Sequence, residues 1–147
     1  MKLNALEFLI VNSPLRAMVQ EYFSLPILLK MMPRTRFNCV LEIGCGNGTG
    51  IRLIQKYMRP EKITGIDLDE RMIRIAKSRA RHRKVAWAVM DSAAIGFSAP
   101  AFDAVFDFGI IHHIADWKIC LGELCRVLKP GGFLIMEDFS IETFSGF

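Results

Sequence analysis

Five short apolar runs follow one another along the second two-thirds of this chain: Cys39–Ile43, Lys62–Asp67, Val85–Val89, Phe102–Phe108 and Phe133–Phe139. Their cores are nearly continuous in apolar residues rather than alternating. That is the pattern of parallel strands covered on both faces. Helical spacing lies between most of them. One helix is expected over Thr49–Met58. Asp69 is placed to cap a second, in which Met72, Ile75 and Ala76 share a face. Asp116 is placed to cap a third, whose stripe is Trp117, Cys120, Leu121, Leu124, Cys125 and Leu128; the "KPGG" of Lys129–Gly132 ends it. Asp91–Ala101, between the third and fourth runs, is too short and too rich in Gly, Pro and Ser for a full helix. Strands alternating with helices predict a doubly wound α/β fold, its sheet mostly parallel, with right-handed crossovers and helices on both faces.

The first 37 residues read differently. Ser13-Pro14 forms an N-cap followed by proline at the first helical position. Leu15, Met18, Val19, Tyr22 and Phe23 then recur at helical spacing, and Pro26 is expected to stop that helix. Ile27, Leu28, Met31 and Met32 suggest a second helical piece before Pro33. The chain therefore divides into a helical lid or cap, residues 1–37, and a core, residues 38–147, without repeats or a further domain.

The chain has 147 residues, 52% of them hydrophobic. No apolar run approaches the ~18 residues that span a bilayer. "MKLNALEFLIV" is interrupted by Glu7 and lacks a small-residue cleavage site, so it does not read as a secretion signal. A cytoplasmic protein with no membrane span is expected. Cys39, Cys45, Cys120 and Cys125 form no CxxC pair and have no histidine at zinc-ligand spacing. They read as reduced, mostly buried thiols, and no metal is expected. The net charge of +4 permits an acidic partner without demanding one. The basic run Lys77–Lys84 reads as the solvated end of the second helix, where cations complement the dipole. No aromatic residues interleave it, and nucleic acid is not an expected partner.

The candidate chemistry begins at "VLEIGCGNGTG", Val40–Gly50. Gly44, Gly46, Gly48 and Gly50 fall where the first strand turns into the next helix, at the carboxyl edge where such sheets bind ligands. The dinucleotide fingerprint fails, because the sixth position from Gly44 is Thr49 and from Gly46 is Ile51. A phosphate-binding P-loop would need a lysine that the loop lacks. The loop suits a ligand with an adenosine but no pyrophosphate. Asp67 ends the second strand about 20 residues on, where a carboxylate accepts from both ribose hydroxyls. Asp91 ends the third strand, placed to accept from an adenine amine, and Leu68 and Met72 are candidates to pack on the purine.

The spacing Glu42-x-Gly44-x-Gly46-x-Gly48 resembles the first motif of class I S-adenosylmethionine-dependent methyltransferases, of the small-molecule type. "ITGIDLDERMI", "MDSAAIGF", "FDAVFDFGIIHHI" and "LCRVLKPGGFLIMED" resemble its later motifs in order, so the likeness covers about Asn38–Phe139. It implies a Rossmann-like sheet in the order 3-2-1-4-5 and S-adenosylmethionine as cofactor. By the same resemblance Glu42 braces the loop, and Gly44, Cys45, Gly46 and Gly48 line the methionine part. Asp67 holds the ribose, Asp91 and Ser92 recognise the adenine, and Phe108 and Gly109 lie near the sulfonium.

His112 and His113 follow the fourth strand and are the candidate catalytic bases. They stand where amino-methylating nucleic-acid enzymes of the family carry an Asn/Asp-Pro-Pro-aromatic tetrapeptide. Arg16 and Tyr22 lie on the first helix, which in relatives often lids the site; surface or core roles are expected for them ahead of contact with cofactor or acceptor. Members of the family usually have seven strands, so the last two are expected to be missing and the core to be truncated at its C-terminal end. The fifth strand would then be an exposed apolar edge, open to a homodimer. The expected function is methyl transfer to a small-molecule acceptor. The rivals are a non-catalytic S-adenosylmethionine-binding or interaction module and, less favoured, an NAD-dependent oxidoreductase.

Overall fold

The computed structural model describes residues 12–80, 85–98 and 100–137. The end of the basic run (81–84) and the last two residues of the expected fifth strand lie outside them. The elements are α1 (Pro14–Val19), a wide π-helical turn (Gln20–Ser24), α2 (Leu25–Met31), β1 (Cys39–Ile43), α3 (Thr49–Tyr57), β2 (Lys62–Asp67), α4 (Glu70–Arg79), β3 (Val85–Val89), β4 (Phe102–Phe108), a 3-10 turn (Ile111–His113), α5 (Trp117–Val127) and β5 (Leu128–Glu137).

The five strands form one sheet in the order β3-β2-β1-β4-β5, every pair parallel. This is the expected doubly wound order. The central strands are sealed on both sides, which explains their unbroken apolar sequence. Val40, Ala104 and Phe106 face one core with Ile51, Ile54, Met58 and Leu25. Leu41, Ile43 and Val105 face the other, with Cys120, Leu124 and Val127. Burying a side chain of this size contributes about 1.5–3 kcal/mol, so the two cores far outweigh any single polar contact. Glu42 lies between Leu41 and Ile43 and so takes a place on the Val40 face, where an apolar residue would be expected.

Three local expectations need correction. Pro26 does not stop the helix. The stretch 14–31 stays helical because the preceding turn widens, with the Leu25 amide donating to the Gln20 carbonyl; proline then falls at the second position of α2, where it needs no donor. Asp116 sits at the N-cap of α5 but makes no capping hydrogen bond there, whereas Ser13 and Asp69 do cap, accepting from the Leu15 and Arg71 amides. "KPGG" does not separate α5 from β5. It bulges out within β5, between the pairs Phe102–Leu128 and Ala104–Phe133. Gly131 has φ +75° there, and Lys129 Nζ lies 2.8 Å from Asp103 Oδ1. The edge strand β3 is only partly covered. No described helix is long and apolar enough to cross a membrane.

Candidate functional site

The site grows from the end of β1. The chain leaves Ile43, turns through residues 44–48 and enters α3. Gly44 takes φ +54°, and a Cβ there would lie 2.5 Å from Ile110 Cγ1. Gly48 takes φ +83° as the N-cap of α3, and a Cβ would lie 3.1 Å from the Trp87 ring. Gly50 is helical, but its Cβ would run into the Glu42 carboxylate. The glycines are therefore demanded partly by backbone conformation and partly by neighbours already in place. Having no side chain, Gly48 cannot cap α3. Asn47 does so from inside the loop, its Oδ1 accepting from Thr49 N (3.1 Å) and Thr49 Oγ1 (2.7 Å).

The loop is tied to β2. Cys45 N donates to the Ile66 carbonyl at 2.9 Å. Gly46 N donates to Asp67 Oδ2 and Asp69 N to Asp67 Oδ1, both at 2.8 Å. The brace is thus Asp67. Glu42, expected in that role, packs beneath the loop. It is 2% exposed, and its Oε2 has no hydrogen-bond partner. Burial, and after it the charges of Asp67 and Asp107, hold the Glu42 carboxyl well above the usual carboxylate range. Burial also raises Asp67, against the opposing pull of the amides of Asp69 and Gly46. Burial pushes the Cys45 thiol far up and the Cys120 thiol up to about 11. Both are protonated at neutral pH and behave as small apolar groups. All four cysteines are free thiols, but only Cys45 and Cys120 are fully buried, and Cys125 is exposed. Among the described residues no cluster of His, Cys, Asp or Glu could hold a metal ion.

Two adjoining cavities open over the carboxyl edge. The narrower, about 90 Å³, lies over the loop and the end of β4; Glu42, Gly44, Cys45, Gly46, Asp67, Phe108 and Gly109 line it, and Arg16, Ala17 and Gln20 form the side given by the first helix. The wider, about 430 Å³, falls in the usual range for small-molecule sites. Leu68, Asp91, Ser92, Ala93 and Ile114 line it. Gly44, Asp67, Ile110 and His113 border both. Asp91 Oδ1 accepts from Ala93 N at 2.8 Å, which shapes the loop at the far end of the wider space.

Most of the expected site residues meet here. Three stand apart. Met72 is fully buried on α4 and lines neither cavity, because its turn of the helix faces the sheet. Gly48 points the other way, toward Trp87 and Ala76. His112 packs on His113, ring centroids 4.0 Å apart, but only His113 borders the crevice. Four residues went unread. Arg16, expected at the surface or in the core, lines the narrower cavity and donates to the Phe108 carbonyl at 3.3 Å; a single cation in an apolar helix was the only signal. Gln20 lies one turn beyond it and carried no signal. Asn47 stood in plain view, with Thr49, as one of two polar residues inside the glycine run. Ile110 fills the space that Gly44 leaves, a relation no sequence pattern encodes. Tyr22 is exposed and touches neither cavity.

The sequence profile of the family described as methyltransferase domain matches residues 41–136. Over 99 residues, 67% of this chain, it is 31% identical to a phthiotriol/phenolphthiotriol dimycocerosates methyltransferase of Mycobacterium tuberculosis. Over an equal length of 99 residues it is 32% identical to a fatty-acid O-methyltransferase of Mycolicibacterium smegmatis. The chain covers 37% and 36% of those two relatives. A solved protein of Pyrococcus horikoshii superposes with a TM-score of 0.76 at 29% identity, covering 91% of this chain and 63% of that one.

Proposed function

We propose that this chain, which belongs to the class I S-adenosylmethionine-dependent methyltransferase domain family, holds S-adenosylmethionine across the two cavities and methylates a small, largely apolar acceptor. One observation carries the reading. A buried carboxylate oxygen without a partner, on Glu42, and a guanidinium, on Arg16, line one narrow space over a loop that side chains would fill. That pair suits a zwitterionic amino-acid group, with its ammonium toward Glu42 and its carboxylate toward Arg16. The same chemistry disfavours a pyrophosphate. Burial raises the Glu42 pKa and the nearby Asp67 and Asp107 raise it further; the charge of those two aspartates would repel a polyanion.

Asp67 offers its remaining lone pairs to ribose hydroxyls, at the border of the two cavities. Asp91 and Ser92, with Leu68 against the ring, suit the adenine in the wider one. S-adenosylmethionine, when bound, supplies an activated methyl group on a sulfonium. The chain's task is then to place the acceptor in line with it, which contributes about 7–11 kcal/mol where the alignment is good. Phe108, stacked on Phe106 at 5.8 Å, presents an aromatic wall, and such walls attract cations. That His113 borders both cavities supports a role in taking a proton from a hydroxyl acceptor, contributing ~10²–10⁴-fold; a carboxylate acceptor needs no such base. Relatives named as a fatty-acid O-methyltransferase and a phthiotriol/phenolphthiotriol dimycocerosates methyltransferase support an apolar acceptor with an oxygen nucleophile.

The test is calorimetry with S-adenosylmethionine on the wild type and Asp67→Ala, followed by transfer assays on fatty acids and long-chain alcohols. The substitution removes a charged acceptor worth about 1.5–3 kcal/mol and also frees the loop amides, so affinity falls by roughly 10- to 150-fold or more. Unchanged affinity contradicts the ribose assignment. Tight binding without transfer to any acceptor of the panel favours a binding module.

A further inference from the structure

The helical stretch 14–31 leaves its outer face bare. Leu15, Met18, Tyr22, Phe23, Ile27 and Met31 are all more than half exposed, Met31 by 77%. They recur at helical spacing, and the wide turn matters to their alignment. By inserting one residue at Gln20–Ser24, it rotates α2 so that Ile27 and Met31 continue the line that Leu15, Met18 and Tyr22 begin. Without it the 3.6-residue repeat would carry them round the helix. A contiguous apolar patch of this kind marks an interaction surface.

Its charges say which kind. The only acid between residues 12 and 36 is Glu21. It is buried and turned inward to Arg52 and Lys56, at 2.9 and 2.7 Å. The exposed charges at the end of the stretch are Lys30, Arg34 and Arg36, all cations. An apolar stripe with exposed cations and no exposed acid is complementary to an anionic lipid surface, on which such a helix lies in the interfacial plane. A second protein surface of ordinary mixed charge has no such match.

We propose that the stretch 14–31 docks this protein, stripe downward, on anionic bilayers. The opposite side of the same helix supplies Arg16, Ala17 and Gln20 to the narrower cavity. Docking therefore holds the crevice one helix diameter, ~10 Å, from the lipid in which an apolar acceptor would dissolve. That last point rests on the function proposed above; the docking rests on the helix face alone.

Co-sedimentation with vesicles tests it, using phosphatidylcholine alone or with phosphatidylglycerol, at low and high salt. The full chain pellets with the anionic vesicles, and pelleting weakens as salt rises. Phe23→Ser with Ile27→Ser, at exposed positions, reduces the bound fraction at least about tenfold. Lys30→Glu with Arg36→Glu costs roughly fivefold or more per reversed cation. Phe23→Trp reports insertion directly by a blue shift of emission. Circular dichroism and calorimetry with S-adenosylmethionine, unchanged in all three variants, separate loss of docking from loss of folding or of the cofactor site. A folded wild type that ignores anionic vesicles overturns the proposal. So does binding that survives loss of the apolar residues, or a solution dimer that the serine pair dissolves. In each of these cases intact cofactor binding leaves the methyltransferase reading standing.

Discussion

Glu42 is the residue where stability and the proposed function oppose each other. A carboxyl group in the middle of a covered strand, beside Asp67 and Asp107, is held well above its ordinary range by burial. Its folded pKa is raised above the unfolded one. The stabilising protonated form is fully present below the ordinary glutamate range and is lost as pH rises through the folded value. Glu42→Gln removes that cost. We expect the ligand-free variant to be more stable than wild type at neutral pH, by about 2–4 °C in Tm for each kcal/mol relieved, and to bind S-adenosylmethionine more weakly. Calorimetry in buffers of different ionisation enthalpy should show the wild type releasing a proton on binding at mildly acidic pH, and Glu42→Gln releasing none. A variant that is both less stable and equally tight would remove Glu42 from the site. The residue was legible as the acid before the glycines. Its burial with an unpartnered carboxyl oxygen was not, because burial depends on what packs over it.

At the scale of elements, the first helix is held by few groups. Glu21 accepts from Lys56 and Arg52 on α3, and these two partners depress its pKa, Lys56 more than Arg52. A depressed carboxylate stabilises above its unfolded range, and the contribution is lost as pH falls through the folded value. Both cations are half exposed, so each pair is worth only about 0.2–1 kcal/mol. The expected effect is local. Glu21→Gln should speed amide hydrogen exchange across 14–31 and weaken cofactor binding, leaving exchange in β1 and β4 unchanged. Acidification of the wild type should do the same. Uniform acceleration through the sheet would show that the latch is not local. This element was the least legible in sequence. Pro26 is a local stop signal, and the widened turn that accommodates it is stabilised by Leu25 packing into the core at 1% exposure. The strands were legible almost to the residue, because two-sided burial writes itself as an unbroken apolar run. The start of β5 was misread, because a glycine-rich bulge and a glycine-rich helix end have the same composition.

For the whole molecule, ligand choice reads out as stability. If the two cavities hold S-adenosylmethionine, ligand at a hundred times its Kd stabilises by about 2.7 kcal/mol. That is a rise in Tm of about 5–11 °C for a chain of this size. NAD at equal concentration should give no shift, since the loop lacks the sixth-position glycine and the acidic groups beneath it repel a pyrophosphate. An equal shift with NAD would reverse the assignment.

The sequence by itself determined the order of strands and helices, the place of the loop and its likeness to a methyltransferase domain. Those depend on local rules: which faces are apolar, where backbone must bend, which carboxylates end strands. Tertiary structure decided the rest, because it joins positions far apart in the chain. It set Ile110 in the space beside Gly44, brought Arg16 to the end of β4, put His113 rather than His112 at the border of the cavities, and withdrew Met72 into the core. Each is a question of direction in space, and a side chain's direction is fixed only when its neighbours are.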